Sequence, residues 1–68
     1  MSILEGRMIK DARKSHGYTQ LDLAKEVGLS HAPIYDLENG KENISLKNLR
    51  LIADKIGLEV VIRDKNAE

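Results

Sequence analysis

Three places in this chain repeat one local pattern: an apolar or aromatic residue, then a hydroxyl residue, then an apolar residue four positions after the hydroxyl. They are Tyr18-Thr19 with Leu23, Leu29-Ser30 with Ile34, and Ile44-Ser45 with Leu49. In each, the hydroxyl can accept from a first-turn amide that has no other partner, while the flanking apolar pair staples the incoming chain to the helix. Three helix starts are thus marked independently. Asp22, three residues after Thr19, adds an acid where the helix dipole favours one. The stops are marked by Gly17, Gly28, Gly40 and Gly57, each following a helical stretch and able to close it in the left-handed conformation. Starts and stops together predict helices near 3–16, 20–27, 31–38 and 46–56. In the last, Leu49, Ile52, Ala53 and Ile56 form one apolar stripe; in the first, Met8, Ile9 and Ala12 form a weaker one.

After Gly57 the period changes to two. Leu58, Val60 and Ile62 alternate with Glu59, Val61 and Arg63, the pattern of a β-strand, and no other segment of the chain reads that way. A lone strand leaves its backbone groups unpaired, so the simplest partner is the same strand of a second copy, antiparallel about a two-fold axis. The alternative is a tail lying on its own helices. Size argues in the same direction: a 68-residue chain without Cys buries too little surface to be comfortable alone, and a second copy adds core. The expected partition is a domain over 1–57 and a dimerising tail over 58–68, with Leu58, Val60, Val61 and Ile62 at the dimer contact.

Charge and composition narrow the function classes. The formal net charge is zero, from 11 Lys plus Arg and 11 Asp plus Glu. Its distribution is uneven, however: Arg7, Lys10, Arg13 and Lys14 against Glu5 and Asp11 on one side, and Lys41, Lys47 and Arg50 against Glu42 on the other, flank an acidic stretch holding Asp22, Glu26, Asp36 and Glu38 against Lys25. A basic face forms if the fold brings the outer segments together. Ser15-His16 and Ser30-His31 lack an arranged acid and an oxyanion element, so no enzyme is expected. With two His and no Cys, no metal site or cofactor is expected either. The start "MSILEGRMIKDARK" mixes charges with apolar residues and reads as neither signal peptide nor membrane span, which predicts a cytoplasmic protein with no membrane partner.

Residues 20–39, "QLDLAKEVGLSHAPIYDLEN", resemble the helix-turn-helix of the phage Cro and lambda-repressor type, the XRE family. Gln20 opens the first helix of the pair, Leu23, Val27, Leu29, Ile34 and Leu37 take its buried positions, and Ala24 and Gly28 take its two small-residue positions. Two helices crossing over a short turn need a small side chain at the crossing and a Gly in the turn. "GRMIKDARKSHGYTQ" resembles the family's first helix and "LENGKENISLKNLRLIADKIGL" its loop and fourth helix. The resemblance implies an all-α, four-helix lambda-repressor-like domain, with an ion pair between Arg13 and Glu38. Read as partly exposed, that pair is worth about 0–1 kcal/mol. "GLEVVIRDKN" resembles the C-terminal strand of HipB-like regulators, whose dimers pair it between subunits.

The resemblance also implies a mode of action. In this motif the N-terminal part of the second helix enters the major groove of DNA. Base contacts would then come from His31, Ala32, Pro33, Tyr35 and Asp36: Ala32 and Pro33 against a thymine methyl, His31 donating to a guanine acceptor or a phosphate, Asp36 accepting from a cytosine amino group. Phosphate contacts fall to Thr19, Gln20, Ser30, Asn39 and Lys41, with Lys14 and Lys47 adding charge. The implied partners are double-stranded DNA, a second copy of the chain and, for an antitoxin, a HipA-like toxin kinase. Two other readings stay open: a phage-type Cro or repressor without a toxin, and a docking module that uses the acidic Asp22, Glu26 and Asp36 to bind a protein rather than DNA.

Overall fold

The computed structural model of the chain describes residues 3–41 and 43–66. Four helices follow one another: α1 Ile3–Ser15, α2 Gln20–Val27, α3 His31–Glu38 and α4 Leu46–Lys55. The expected boundaries differ from these by one residue at most, because the end signals are local. Thr19 caps α2 by accepting from the Asp22 amide at 3.0 Å, and Asp22 returns the bond to the Thr19 amide at 3.2 Å. Ser45 caps α4 by accepting from the Asn48 amide at 3.2 Å. These bonds from Thr19, its side chain first and then its amide, hold the Asp22 carboxyl below its ordinary pKa. A depressed pKa stabilises the fold above the unfolded value, and that contribution is lost as pH falls through the folded one.

The helix ends share one device as well. At Gly28 the chain turns into the left-handed region, φ 73°, which lets the Leu29 amide reach back to the Ala24 carbonyl at 2.9 Å. The same reach of five residues recurs from Tyr18 to Arg13, Lys41 to Asp36 and Leu58 to Ala53. Local chemistry thus closes every helix before packing is considered.

The core is built where α3 packs on α1 and α2, and α2 on α4. Leu23, Ile34, Leu37, Ile52 and Ile56 are its largest fully buried side chains, joined by Ile9 and Ala24. Val27, Leu29 and Leu49 pack against it from its margin. One expectation fails at α1. Ile9 is buried and Ala12 packs against the core as expected, but Met8 lies outside, more than half exposed, and Gly6 and Arg13, which no apolar stripe reveals, complete the buried face. Gly6 is there because α1 rests on the C-terminal end of α3. A Cβ at Gly6 would sit 2.7 Å from the carbonyl oxygens of both Leu37 and Glu38. Gly6→Ala gains about 1 kcal/mol of helix propensity, but the helices must then part, a change that typically costs about 1–3 kcal/mol. A net loss of stability is expected by urea titration; an unchanged or raised midpoint would contradict this packing.

The second departure is the tail. Residues 58–63 form no strand in the single chain. Leu58 and Val60 are half-buried and, with Met8, Ile9, Leu49 and Val61, line a shallow apolar groove between α1 and α4. The expected alternation holds through Val61, which is 53% exposed, and breaks at Ile62, which should follow Leu58 and Val60 inward but is 73% exposed. Among the described residues no helix is long and apolar enough to cross a membrane.

Candidate nucleic-acid interface

Helix α3 presents two faces. Ile34, Leu37 and Glu38 point inward, while His31, Ala32 and Tyr35 are exposed and Pro33 and Asp36 half-exposed. The His31 and Tyr35 rings lie one turn apart, with centroids 5.9 Å from each other.

The inward Glu38 anchors a chain of hydrogen bonds that runs to this outer face. Arg13 of α1 grips its carboxylate with two donors, Nε to Oε2 at 2.7 Å and Nη2 to Oε1 at 3.0 Å. The third nitrogen, Nη1, donates to the Tyr18 carbonyl at 2.8 Å, so Arg13 also fixes the turn into α2. Side-chain exposure is only 8% for Arg13 and 3% for Glu38. The pair expected from the sequence is present, but it is buried and two-pronged, which moves it out of the weak surface class. Gln20, first residue of α2, then donates from Nε2 to Glu38 Oε1 at 3.1 Å. Its Oε1 meets His31 Nε2 at 2.7 Å.

That sequence of bonds has a direction. A carboxylate only accepts, so the Gln20 amide must turn its NH2 toward Glu38 and its oxygen toward His31. An oxygen facing His31 Nε2 requires the proton on that nitrogen. His31 therefore spends its Nε2–H inside the protein, whereas the sequence reading had it donate to a base or phosphate. Gln20, expected on a phosphate, spends both ends of its amide on Glu38 and His31. The link from Gln20 to His31 crosses the turn between the two helices and leaves no mark in either helix's own pattern.

The remaining acid of this segment is also occupied. Asp36 accepts from the Asn43 amide at 3.2 Å and faces Lys41 Nζ at 3.6 Å, holding the loop after α3. Asn39 donates its side-chain amide to the Tyr35 carbonyl at 2.8 Å, closing the end of α3. Thr19 is held in its capping box. Of the expected phosphate residues, then, Thr19, Gln20, Asn39 and Lys41 already carry intramolecular partners. The Lys41–Asp36 contact is exposed on the lysine side and weak enough for a phosphate to replace it.

Ser30 differs. Its backbone is that of an N-cap, φ −76° and ψ 170°, matching Thr19 and Ser45, yet its hydroxyl makes no capping bond. The other two hydroxyls accept from the third residue of their helix, and in α3 that residue is Pro33, which has no N–H. The cap expected at Ser30 is deleted by the proline. Thr19→Ala and Ser45→Ala should each cost about 1 kcal/mol, while Ser30→Ala should cost far less. Thermal melts of the three variants check this; an equal loss at Ser30 would contradict it.

Comparison with known proteins agrees with this architecture. Residues 9–62 match the helix-turn-helix family. Antitoxin HipB of Escherichia coli K12 is 35% identical over 60 residues, covering 87% of this chain and 68% of HipB. The ImmF control region 10 kDa protein of Bacillus phage phi105 is 40% identical over 55 residues, covering 81% of this chain and 61% of that protein. Antitoxin PezA of Streptococcus pneumoniae serotype 4 is 36% identical over 56 residues, which span 82% of this chain but only 35% of PezA. Among solved structures, a chain of a HipA–HipB–O2–O3 complex superposes with a TM-score of 0.71 at 30% identity, covering 90% of this chain and 86% of its own. With that match over most of its length and the α2–turn–α3 geometry described above, the chain belongs to the helix-turn-helix family of the Cro and lambda-repressor type.

Proposed function

We propose that the protein is a DNA-binding transcriptional repressor that acts as a homodimer, seating the N-terminal half of α3 in the major groove of each half of a pseudo-palindromic operator. The observation that carries this reading is the chain of bonds from the buried Arg13–Glu38 pair through half-buried Gln20 to an exposed residue of α3, His31. A buried network aimed at one solvent-facing side chain is what preorganised recognition of a ligand requires. His31, Ala32, Pro33 and Tyr35 face the bases in this arrangement. Asp36 sits at the far end, neutralised by Lys41, and its contact is with the loop unless DNA displaces it. Ser30, with its uncapped hydroxyl and the free amides of the α3 start, takes a phosphate; Thr19, Gln20, Asn39 and Lys41 line the same edge.

The exposed Val61 and Ile62 and the groove beside Met8 support pairing of residues 58–63 with a second copy. Similarity to HipB, solved in a complex with HipA and O2–O3, supports an antitoxin with a HipA-like partner. Similarity to a phage control-region protein supports a repressor that works without a toxin. Both assign the same work to α3. A gel-shift titration on the promoter DNA of the protein's own gene at low salt should show binding that His31→Ala and Gln20→Ala weaken. Binding should also fall with salt, each neutralised phosphate adding about −0.9 to the log–log slope. Absence of binding at low salt would refute the reading.

A further inference from the structure

The orientation of the Gln20 amide limits what His31 can read. With Nε2–H committed to Gln20, a neutral His31 keeps one free polar atom, the lone pair on Nδ1, and that atom accepts. In the major groove the acceptor's complements are exocyclic amino groups, N6 of adenine and N4 of cytosine; guanine N7 and O6 and thymine O4 offer only acceptors. We propose that His31 is a specificity-determining residue that selects an amino-bearing base, adenine or cytosine, through Nδ1, and that Gln20 sets this choice as a positioning residue by holding the ring's proton on Nε2. The inference rests on the reading of α3 as the groove-entering helix.

The alternative arrangement loses a hydrogen bond at every link, and most where the chain is buried, at Glu38. Reversing the Gln20 amide would set its oxygen against the Glu38 carboxylate, which cannot turn away because Arg13 holds both of its oxygens. Placing the proton on Nδ1 would leave Nε2 and Gln20 Oε1, two acceptors, facing each other at 2.7 Å. The chain from the buried ion pair to the exposed ring therefore fixes both where His31 stands and which nitrogen it offers.

Two measurements on the full chain test this. Long-range proton–nitrogen NMR at pH 8 reads the tautomer of His31 directly. The Nε2–H form is expected in the free protein, and the Nδ1–H form or an even mixture would overturn the proposal. Selection from a randomised duplex library reads the base. The wild type should show one position per half-site at which adenine or cytosine is preferred by about tenfold over guanine or thymine. His31→Ala should flatten that position alone, and Gln20→Met, which releases the ring, should let guanine and thymine in at that position among the duplexes selected at low salt, with overall affinity lowered. A His31-dependent position that selects guanine or thymine, or no His31-dependent position at all, would overturn the inference while leaving DNA binding intact. If the wild type retains no duplex, the inference falls together with the function it deepens.

Discussion

Glu38→Ala is expected to cost about 3–5 kcal/mol, because it removes one partner of a buried, doubly hydrogen-bonded charge pair and leaves the other uncompensated. The loss matches the lower end of the stability of a domain this small, about 0.05–0.15 kcal/mol per residue, so the variant should be strongly destabilised. Arg13 would keep its bond to the Tyr18 carbonyl but lose its counter-ion in a site where water cannot replace it. A paired replacement, Arg13→Met with Glu38→Leu, removes both charges and should recover most of the stability, since apolar groups of similar volume commonly match or exceed a buried ion pair. The recovered protein separates fold from function. Without Glu38, nothing orients the Gln20 amide, and DNA affinity should stay low although the helices re-form. Chemical denaturation of all three proteins checks this; a loss below about 1 kcal/mol in Glu38→Ala would mean that the pair acts as an ordinary surface contact.

A charge placed in the tail should have the larger effect on DNA. Ile62→Asp alters a side chain that is 73% exposed in one copy, so the fold of the single chain should be nearly unaffected. In the proposed dimer the same position lies within the paired strands, where each copy would have to desolvate a carboxylate that has no counter-ion there. Dissociation of the dimer converts two linked binding events into separate ones. Linkage of this kind is worth about 10²–10⁴ in affinity, so binding to a two-site operator should drop by at least about a hundredfold. Binding to an isolated half-site should hardly change. Sedimentation of the wild type and variant at micromolar concentration, beside the two titrations, gives the answer. A variant that sediments and binds as the wild type does would remove residues 58–63 from the interface.

How far the structure was legible in the sequence follows from where each piece of information is stored. Helix limits are written in caps and glycines a few residues apart, and the four helices appear where Thr19, Ser45 and the closing glycines put them. Ser30 shows the limit of that logic. It has the right residue and the right backbone, but the donor it needs is absent because Pro33 stands three positions on. A cap depends on the backbone N–H groups as much as on the hydroxyl, and a proline removes one of them. In α1 hydrophobic periodicity found Ile9 and Ala12 but added Met8, and it missed Gly6 and Arg13, which are placed by the approach of α3's carbonyls and by a buried charge. The Arg13–Glu38 pair was placed by family resemblance, yet its burial, which decides its worth, depends on three helices meeting. The bond from Gln20 to His31 could not be anticipated, because only the folded turn brings residue 31 within reach of residue 20. The two-residue period after Gly57 described a segment suited to pairing, and its exposed half is consistent with a partner outside the single chain.

The most direct test of the central claim, that two copies joined through their tails set two α3 helices into successive major grooves, is a spacing series. Anisotropy titrations would use duplexes carrying the selected half-site twice, with centre-to-centre separations stepped through one turn of DNA, about 10 base pairs. A dimer of this geometry predicts a single sharp affinity maximum near one turn and a loss of about a hundredfold when the second site is moved half a turn to the opposite face. Affinity that is the same at every separation, or no greater for two sites than for one, would contradict it.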